Sequence, residues 1–220
     1  MNAAATTVPR PNTRDMLAIH QVFRDAFGCS PQLVGSVCND HSDKVETVAA
    51  YYANVLALLR AHHEGEDELI WPKLVERAPD QGELIARMEA AHEQLAATLA
   101  ECESRLAEWV VSPDIDHGAS LAASLATLGV LCAAHFDEEE RRILPLAEEH
   151  CTVEEWAELP AHAMRTYAGD RLWLALGLVR EQMPPAAQEM QLEKMPPALR
   201  DMWLSTGQEN FERFVADLRR

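Results

Sequence analysis

A pattern of histidine, glutamate and proline occurs twice along this chain of 220 residues. Four residues recur 72 or 73 positions later: His20, His62, Glu66 and Pro72 return as His92, His135, Glu139 and Pro145. Because His-x-x-x-Glu places both side chains one turn apart on one helix face, each copy can bind a metal ion from a single helix. Imidazole and carboxylate groups together suit first-row metals such as iron or zinc. The repeat therefore predicts two half-sites on two equivalent helical units.

The cysteines and the charge of the chain exclude several classes of protein. The number of cysteines is odd, no pair forms a Cys-x-x-Cys motif, and they are widely spaced: Cys29, Cys38, Cys102, Cys132 and Cys151. This pattern argues against a disulfide framework or a thiolate zinc site and favours reduced, cytoplasmic thiols. The formal net charge of -17 would repel a phosphate backbone, so we expect no nucleic-acid partner.

The sequence predicts neither secretion nor membrane insertion. The first 12 residues are polar, contain Pro9 and Pro11, and lack the apolar segment that directs secretion. No later run predicts a membrane-spanning segment. We therefore expect a soluble, cytoplasmic protein without a membrane partner.

Turn signals divide the chain into helices. Residues that start and stop helices flank long runs with apolar side chains at three- and four-residue spacing, while β-branched alternation is nearly absent. Long helices are predicted over about residues 13–28, 42–78 and 80–112, and from there to 150. Ser42 is a candidate cap, Asp80 and Glu83 have the form of a capping box, and Pro72 and Pro145 should kink the second and fourth helices. These helices predict an all-α, antiparallel four-helix bundle.

The chain divides into three parts on this interpretation. Residues 1–12 are expected to form a flexible tail, residues 13–150 the bundle with its metal site, and residues 151–220 a C-terminal extension of three or four short helices. Thr152 and Glu155 form a second candidate capping box, at the start of the extension. The inner face of the first helix is predicted to carry five side chains: Met16, Leu17, His20, Phe23 and Phe27.

The heights of the repeated residues agree with a single site. His92 lies 12 residues after Asp80 and Glu66 lies 12 residues before Ala78, which places each about 18 Å from the same end of the bundle. Buried charges at one level would need a compensating cation. The predicted metal ligands are therefore His20, His62, Glu66, His92, His135 and Glu139.

A second pair of potential ligands, His63 and Asp67, lies beside the first pair. The equivalent positions of the second copy hold Phe136 and Glu140, so only the first register is duplicated with both ligand types. We therefore expect His63 to lie at the surface or to contact a ligand from outside. Two acidic clusters flank the repeated motifs: Glu64, Asp67 and Glu68, and Asp137, Glu138 and Glu140.

These acidic clusters are most simply solvated helix faces, although one carboxylate could orient a ligand imidazole. Four other histidines lack a repeated context and are assigned no chemistry: His41, His117, His150 and His162.

Four segments carry a resemblance to the hemerythrin-like HHE cation-binding family: AIHQVF, HHEGEDELIWP, AAHEQL and AHFDEEERRILP. The similarity covers roughly residues 13–150. It implies a four-helix bundle with two non-haem iron ions, bridged by Glu66, Glu139 and an oxo or hydroxo group. The four repeated histidines would be terminal ligands. Hemerythrins proper use five histidines, so His63 or Glu64 would have to supply an additional contact.

The ligand composition favours one function over others. Ferritin-like proteins carry Glu-x-x-His helices, whereas this chain has His-x-x-x-Glu and more imidazoles than carboxylates, which disfavours iron storage. An electron-poor centre of this kind suits binding of O2, NO or H2O2, as a carrier or sensor. The alternative is a di-iron oxidase, oxygenase or peroxide-degrading enzyme. In that case the tryptophan-rich extension shapes the pocket, and the same extension could instead form a homodimer contact.

Overall fold

The computed structural model describes residues 9–37 and 43–220, and the described residues form helices and no strand. The all-α prediction is confirmed. In chain order, the first seven helices are α1 (Arg14–Gly28), α2 (Ser30–Gly35), α3 (Asp43–Leu69), α4 (Trp71–Arg77), α5 (Gly82–Val111), α6 (Ile115–Glu138) and α7 (Leu144–His150). Predicted cap Ser42 and residues 1–8 of the predicted tail lie outside the described residues.

Four long helices, α1, α3, α5 and α6, form the bundle. α6 packs along α5 and α1, α3 packs along α5, and the short α2 covers α6. The central layer consists of large apolar side chains, among them Phe23, Tyr52, Leu56, Trp109 and Leu125, each less than 1% exposed. The inward direction predicted for Leu17 is wrong, because this side chain is 43% exposed. At 3.6 residues per turn, the positions 16, 20, 23 and 27 complete the inner face of α1 without it.

Both repeated prolines interrupt the helix that carries the ligands. Pro72 has no N–H to donate to the carbonyl four residues earlier, and α3 ends at Leu69 before α4 begins at Trp71. In the second copy a π-helical segment, Glu139–Ile143, separates α6 from α7, in which Pro145 is the second residue. The predicted interruptions are confirmed. Each follows a repeated glutamate within six residues, and π segments of this kind are frequent at functional sites.

Of the two predicted capping boxes, one is present. Thr152 Oγ1 accepts a hydrogen bond from the Glu155 backbone, and the Glu155 side chain accepts one from the Thr152 backbone. The box predicted for Asp80 and Glu83 is wrong. Pro79 instead opens a 3-10 turn, so that Asp80 lies inside the turn and α5 begins two residues later without a side-chain cap.

The helical stretch from residue 115 to residue 150 corrects one sequence-based expectation. By length and composition alone it is apolar enough to cross a membrane, although no membrane-spanning run was predicted. The reason is its uncharged, alanine-rich course between Asp116 and Asp137. One face of this helix packs on α1, α2 and α5, and it also carries His135 and Glu139 into the bundle.

The C-terminal extension forms six α-helices, more than the three or four predicted. They are α8 (Val153–Trp156), α9 (Glu158–Thr166), α10 (Leu172–Glu181), α11 (Pro185–Lys194), α12 (Pro197–Met202) and α13 (Gln208–Leu218), with a π segment at Trp203–Gly207. The proline pairs end helices as expected, but turns at Ala157 and at residues 167–171 add further breaks.

The extension packs across α1 and α3. α9 lies along α3, α10 contacts both α1 and α3, and α13 contacts α3 and α10. Buried Asn54 of α3 anchors the turn before α10, because its side chain bonds to Tyr167, to Asp170 and to the Arg171 backbone. The extension therefore forms part of the apolar core.

Candidate metal centre

The bundle brings all six predicted ligands and His63 into one buried cluster. The potential ligand atoms form two groups, and within each group they lie within 4.8 Å of one another. The first group contains His63, Glu66, His92 and His135, and the second contains His20, His62, Glu66 and Glu139. Every member is at most 7% exposed. Glu66 belongs to both groups, so the arrangement has the form of two adjoining cation sites with a shared carboxylate.

Of the two positions expected for His63, at the surface or in contact with a ligand, the structure excludes the first. The expectation of a surface position is wrong, because the imidazole is buried and stacks on His92 with ring centroids 4.3 Å apart. The repeat misled because Phe136 occupies the equivalent position of the second copy. The Phe136 ring stacks on His20, with centroids 4.0 Å apart, so it fills space that the imidazole of His63 fills in the other half. The resemblance to five-histidine proteins was the available signal for His63.

Each glutamate lies between imidazoles of the two groups. Glu66 Oε1 is 3.7 Å from His62 Nε2, and Glu66 Oε2 is 3.6 Å from His92 Nε2. Glu139 Oε2 is 3.3 Å from His20 Nε2 and 3.6 Å from His135 Nε2. Both carboxylates are therefore placed where a bridge between two cations would be.

Burial and mutual repulsion shape the protonation of the centre. Burial, and then the neighbouring Glu139 carboxylate, raise the pKa of Glu66. Burial also lowers the pKa of His62 and His63, and it lowers the pKa of His135 to about 4. Burial alone would raise the pKa of Glu139 and lower that of His20, but the attraction between these two groups outweighs burial and lowers the pKa of Glu139 while it raises the pKa of His20. Neutral imidazoles, with free lone pairs, are the form that binds a metal ion.

The donor set fits a metal centre. Seven buried atoms of the cluster have no hydrogen-bond partner among the described residues: His20 Nε2, His62 Nε2, His63 Nε2, Glu66 Oε1 and Oε2, His135 Nδ1 and Glu139 Oε2. Each unpaired buried polar atom costs about 1–3 kcal/mol. In addition, His92 Nε2 and His135 Nε2 lie 3.0 Å apart, which is about the separation of two nitrogens bound at a right angle to one ion at 2.1 Å. Cations would compensate both the charge and the unpaired atoms.

A carboxylate outside the cluster orients His20. Glu140 Oε1 lies 2.8 Å from His20 Nδ1 and also accepts a hydrogen bond from Arg24 Nη1 at 2.7 Å. The Arg24 guanidinium also donates to Asp137 and lies 5.6 Å from the centroid of the Phe136 ring. Because Nδ1 faces Glu140, Nε2 of the same ring faces the cluster.

The other half of the centre repeats this arrangement with a different third residue. Asp67 Oδ1 lies 2.6 Å from His92 Nδ1 and accepts a hydrogen bond from Trp71 Nε1 at 2.9 Å. Asp67 and Glu140 are equivalent in the repeat, so the interpretation of both as merely solvated residues is wrong. The alternative, in which one carboxylate orients a ligand imidazole, was too low by one. Glu140 contacts His20 in one half of the centre, and Asp67 contacts His92 in the other.

Two of the histidines that were assigned no chemistry have other contacts. His117 donates its backbone N–H to the side chain of Asp114, the cap of α6, and buried His162 lies 3.6 Å from Glu68, at the contact between α9 and α3. His41 lies outside the described residues.

A family model described as the hemerythrin HHE cation-binding domain matches residues 12–147. The chain belongs to the hemerythrin HHE cation-binding domain family. The matched segment contains every residue of the cluster and ends before the extension. No curated protein matches the chain, and no solved structure matches it. Membership in this HHE family agrees with a cluster of histidine and glutamate side chains that could hold metal ions.

Proposed function

We propose that this HHE protein holds two iron ions in the two adjoining groups and binds O2, NO or H2O2 there, as a carrier or sensor. The observation that carries the proposal is the sharing of Glu66 between two buried groups with five imidazoles in total. Two adjoining groups favour a pair of ions, and imidazole with carboxylate suits iron. The two groups would hold a pair of ferrous ions, which would supply electrons and a coordination position for a small ligand.

The protein's own residues would fix the centre in three ways. Glu66 and Glu139 would bridge the two positions and offset part of the cationic charge. Glu140 and Asp67 would hold His20 and His92 with Nε2 directed inward. The third contribution is a dry apolar wall: Phe23 and Phe136 lie against the histidine rings and are themselves fully buried.

The predominance of imidazole supports ligand binding rather than oxidation of a substrate. Two carboxylates are present against five imidazoles, which carry no charge once they bind a metal ion, so the ligands would offset only part of the charge of two ions. This charge balance favours the reduced state, which is the state that binds a diatomic ligand reversibly. We also propose a cytoplasmic location, supported by the free state of Cys29, Cys102, Cys132 and Cys151.

The test combines metal analysis with an optical spectrum. We expect about two iron ions per chain, and a coloured adduct that forms when oxygen is admitted to the reduced protein and disappears when oxygen is removed. The same spectrum recorded with NO in place of oxygen tests whether the centre also binds this second diatomic ligand. A His62→Ala, His135→Ala double variant should lose the adduct. A single zinc ion per chain, or full ligand binding by the double variant, would contradict the proposal.

A further inference from the structure

The two halves of the centre differ in a charge that lies outside the ligands. Arg24 follows His20 by four residues on α1, and its guanidinium binds both Glu140 and Asp137 at 2.7 and 2.8 Å. In the repeat, the equivalents of these two acidic residues are Asp67 and Glu64. The equivalent of Arg24, four residues after His92, is Ala96.

The second half therefore keeps the acidic pair without the cation. Asp67 accepts hydrogen bonds only from the His92 ring and from the neutral indole of Trp71, and no arginine or lysine of the described residues lies within ion-pair distance of it. Glu64 likewise has no ion pair within the described part of the chain. A carboxylate that accepts the ring N–H makes an imidazole a stronger metal ligand, and a cation paired with that carboxylate weakens this effect.

Burial makes this difference effective at the ligands. His20 is 0% exposed and the side chains of Glu140 and Arg24 are each 25% exposed, so the pair acts through a poorly hydrated region. Glu140 Oε1 accepts hydrogen bonds from His20 and Arg24 at the same time, so the Arg24 guanidinium is linked to the ligand His20 through a single carboxylate. The charge of Arg24 is thus felt mainly by the position that includes His20.

We propose that Arg24 is a charge-tuning residue, which selectively lowers the cation affinity and raises the reduction potential of the metal position that includes His20. The inference rests on the proposed function, because it requires two metal positions. Arg24 acts through Glu140 and His20, and it contacts neither cation position itself. The role predicts a sign that a purely structural role does not: removal of Arg24 should strengthen cation binding.

The experiment is a stepwise titration of the metal-free protein with Co²⁺, followed by visible absorption and by competition with a chelator. Arg24→Met keeps the contact with Phe136 but removes the charge, and it should tighten one of the two binding steps roughly three- to tenfold. Arg24→Lys should stay within about twofold of the native protein. Arg105→Gln, which removes an exposed arginine paired with Glu101 and Glu108, is the charge-matched control.

A transplant tests the other half without disturbing the core. Ala96 is exposed, and Ala96→Arg would place a guanidinium four residues after His92, opposite Asp67 and Glu64. This variant should weaken the binding step that Arg24→Met leaves unchanged. In iron-loaded protein, the reduction potential should fall in Arg24→Met and rise in Ala96→Arg.

The outcomes separate the inference from the function on which it rests. Weaker binding in Arg24→Met, or equal shifts of both steps, would overturn the tuning role and leave a two-ion centre intact. Binding of fewer than two Co²⁺ ions by the native protein would overturn both. Opposite shifts in Arg24→Met and Ala96→Arg, on different steps, would support the assignment.

Discussion

Asp67 Oδ1 lies 2.6 Å from Nδ1 of His92. The contact of this α3 residue fixes the orientation of an imidazole that α5 supplies, and Glu140 makes the equivalent contact with His20. Asp67→Asn should reduce the affinity of one metal position by about 10- to 100-fold, because the amide is a weaker acceptor for the ring N–H. Metal content after dialysis against a graded series of chelator concentrations measures the loss. Asp80→Asn, in the exposed turn before α5, should behave as the native protein.

The repeat itself supplies a suitable replacement for His63. His63→Phe introduces the residue that the second copy carries at the equivalent position, so the bundle should fold and retain its apolar packing. The variant should keep the group with His20 and lose most binding to the group with His92, which gives about one ion per chain. Elemental analysis checks the stoichiometry. Two tightly bound ions in this variant would exclude His63 as a ligand.

Replacement of Glu66 should change the stability of the metal-free and metal-loaded protein in opposite directions. Its carboxylate is buried beside Glu139, and both of its oxygens lack hydrogen-bond partners among the described residues. Burial beside Glu139 raises the pKa of Glu66, so folding with this carboxyl in place costs free energy at neutral pH, and Glu66→Gln should stabilise the metal-free protein by about 1–3 kcal/mol. The same variant should abolish most of the stabilisation by metal, since Glu66 belongs to both groups. Urea unfolding with and without added metal tests both signs.

The thiols of two core cysteines should not react with alkylating reagents in the folded protein. Cys102 and Cys132 are at most 1% exposed, and burial raises the pKa of each to about 12. At pH 8 such a thiol is ionised in roughly one molecule in 10⁴, so alkylation should require unfolding. The raised pKa also makes stability fall as pH rises from 9 towards 12, because only the unfolded chain loses these protons. Cys132→Ala should flatten this decline, and rapid labelling of the folded protein at pH 8 would contradict the predicted burial.

The extension depends on a close approach at Gly177. A Cβ atom at this position would lie 2.2 Å from the Phe211 ring, so the contact between α10 and α13 requires glycine. Gly177→Ala should destabilise the protein by about 1–3 kcal/mol, and Phe211→Leu in the same chain should recover part of the loss. Urea unfolding provides the measurement. Metal stoichiometry should be unchanged in both variants.

The sequence predicted the ligand-bearing helices well and the environment of the ligands less well. Histidine and glutamate at a fixed spacing are local features, within α3 in the first copy and across the end of α6 into the π segment in the second, and helix geometry alone brings each pair to one face. Contacts of Asp67 and Glu140 with rings of other helices depend on how the helices rotate against each other. The expectation of a surface position for His63 was wrong for a related reason. The repeat implied equivalent side chains in the two halves of the core, whereas His63 packs on His92 in one half and Phe136 packs on His20 in the other.

The ligands come from four helices that are distant in sequence, and this has a consequence for the life of the protein in a cell. An unfolded chain offers only isolated His-x-x-x-Glu pairs, so metal binds the folded form far more tightly. A free metal concentration 100 times the dissociation constant adds about 2.7 kcal/mol to folding for each site. Molecules made during metal starvation would open more often and be degraded sooner. The abundance of the protein would then follow metal supply without any dedicated regulator.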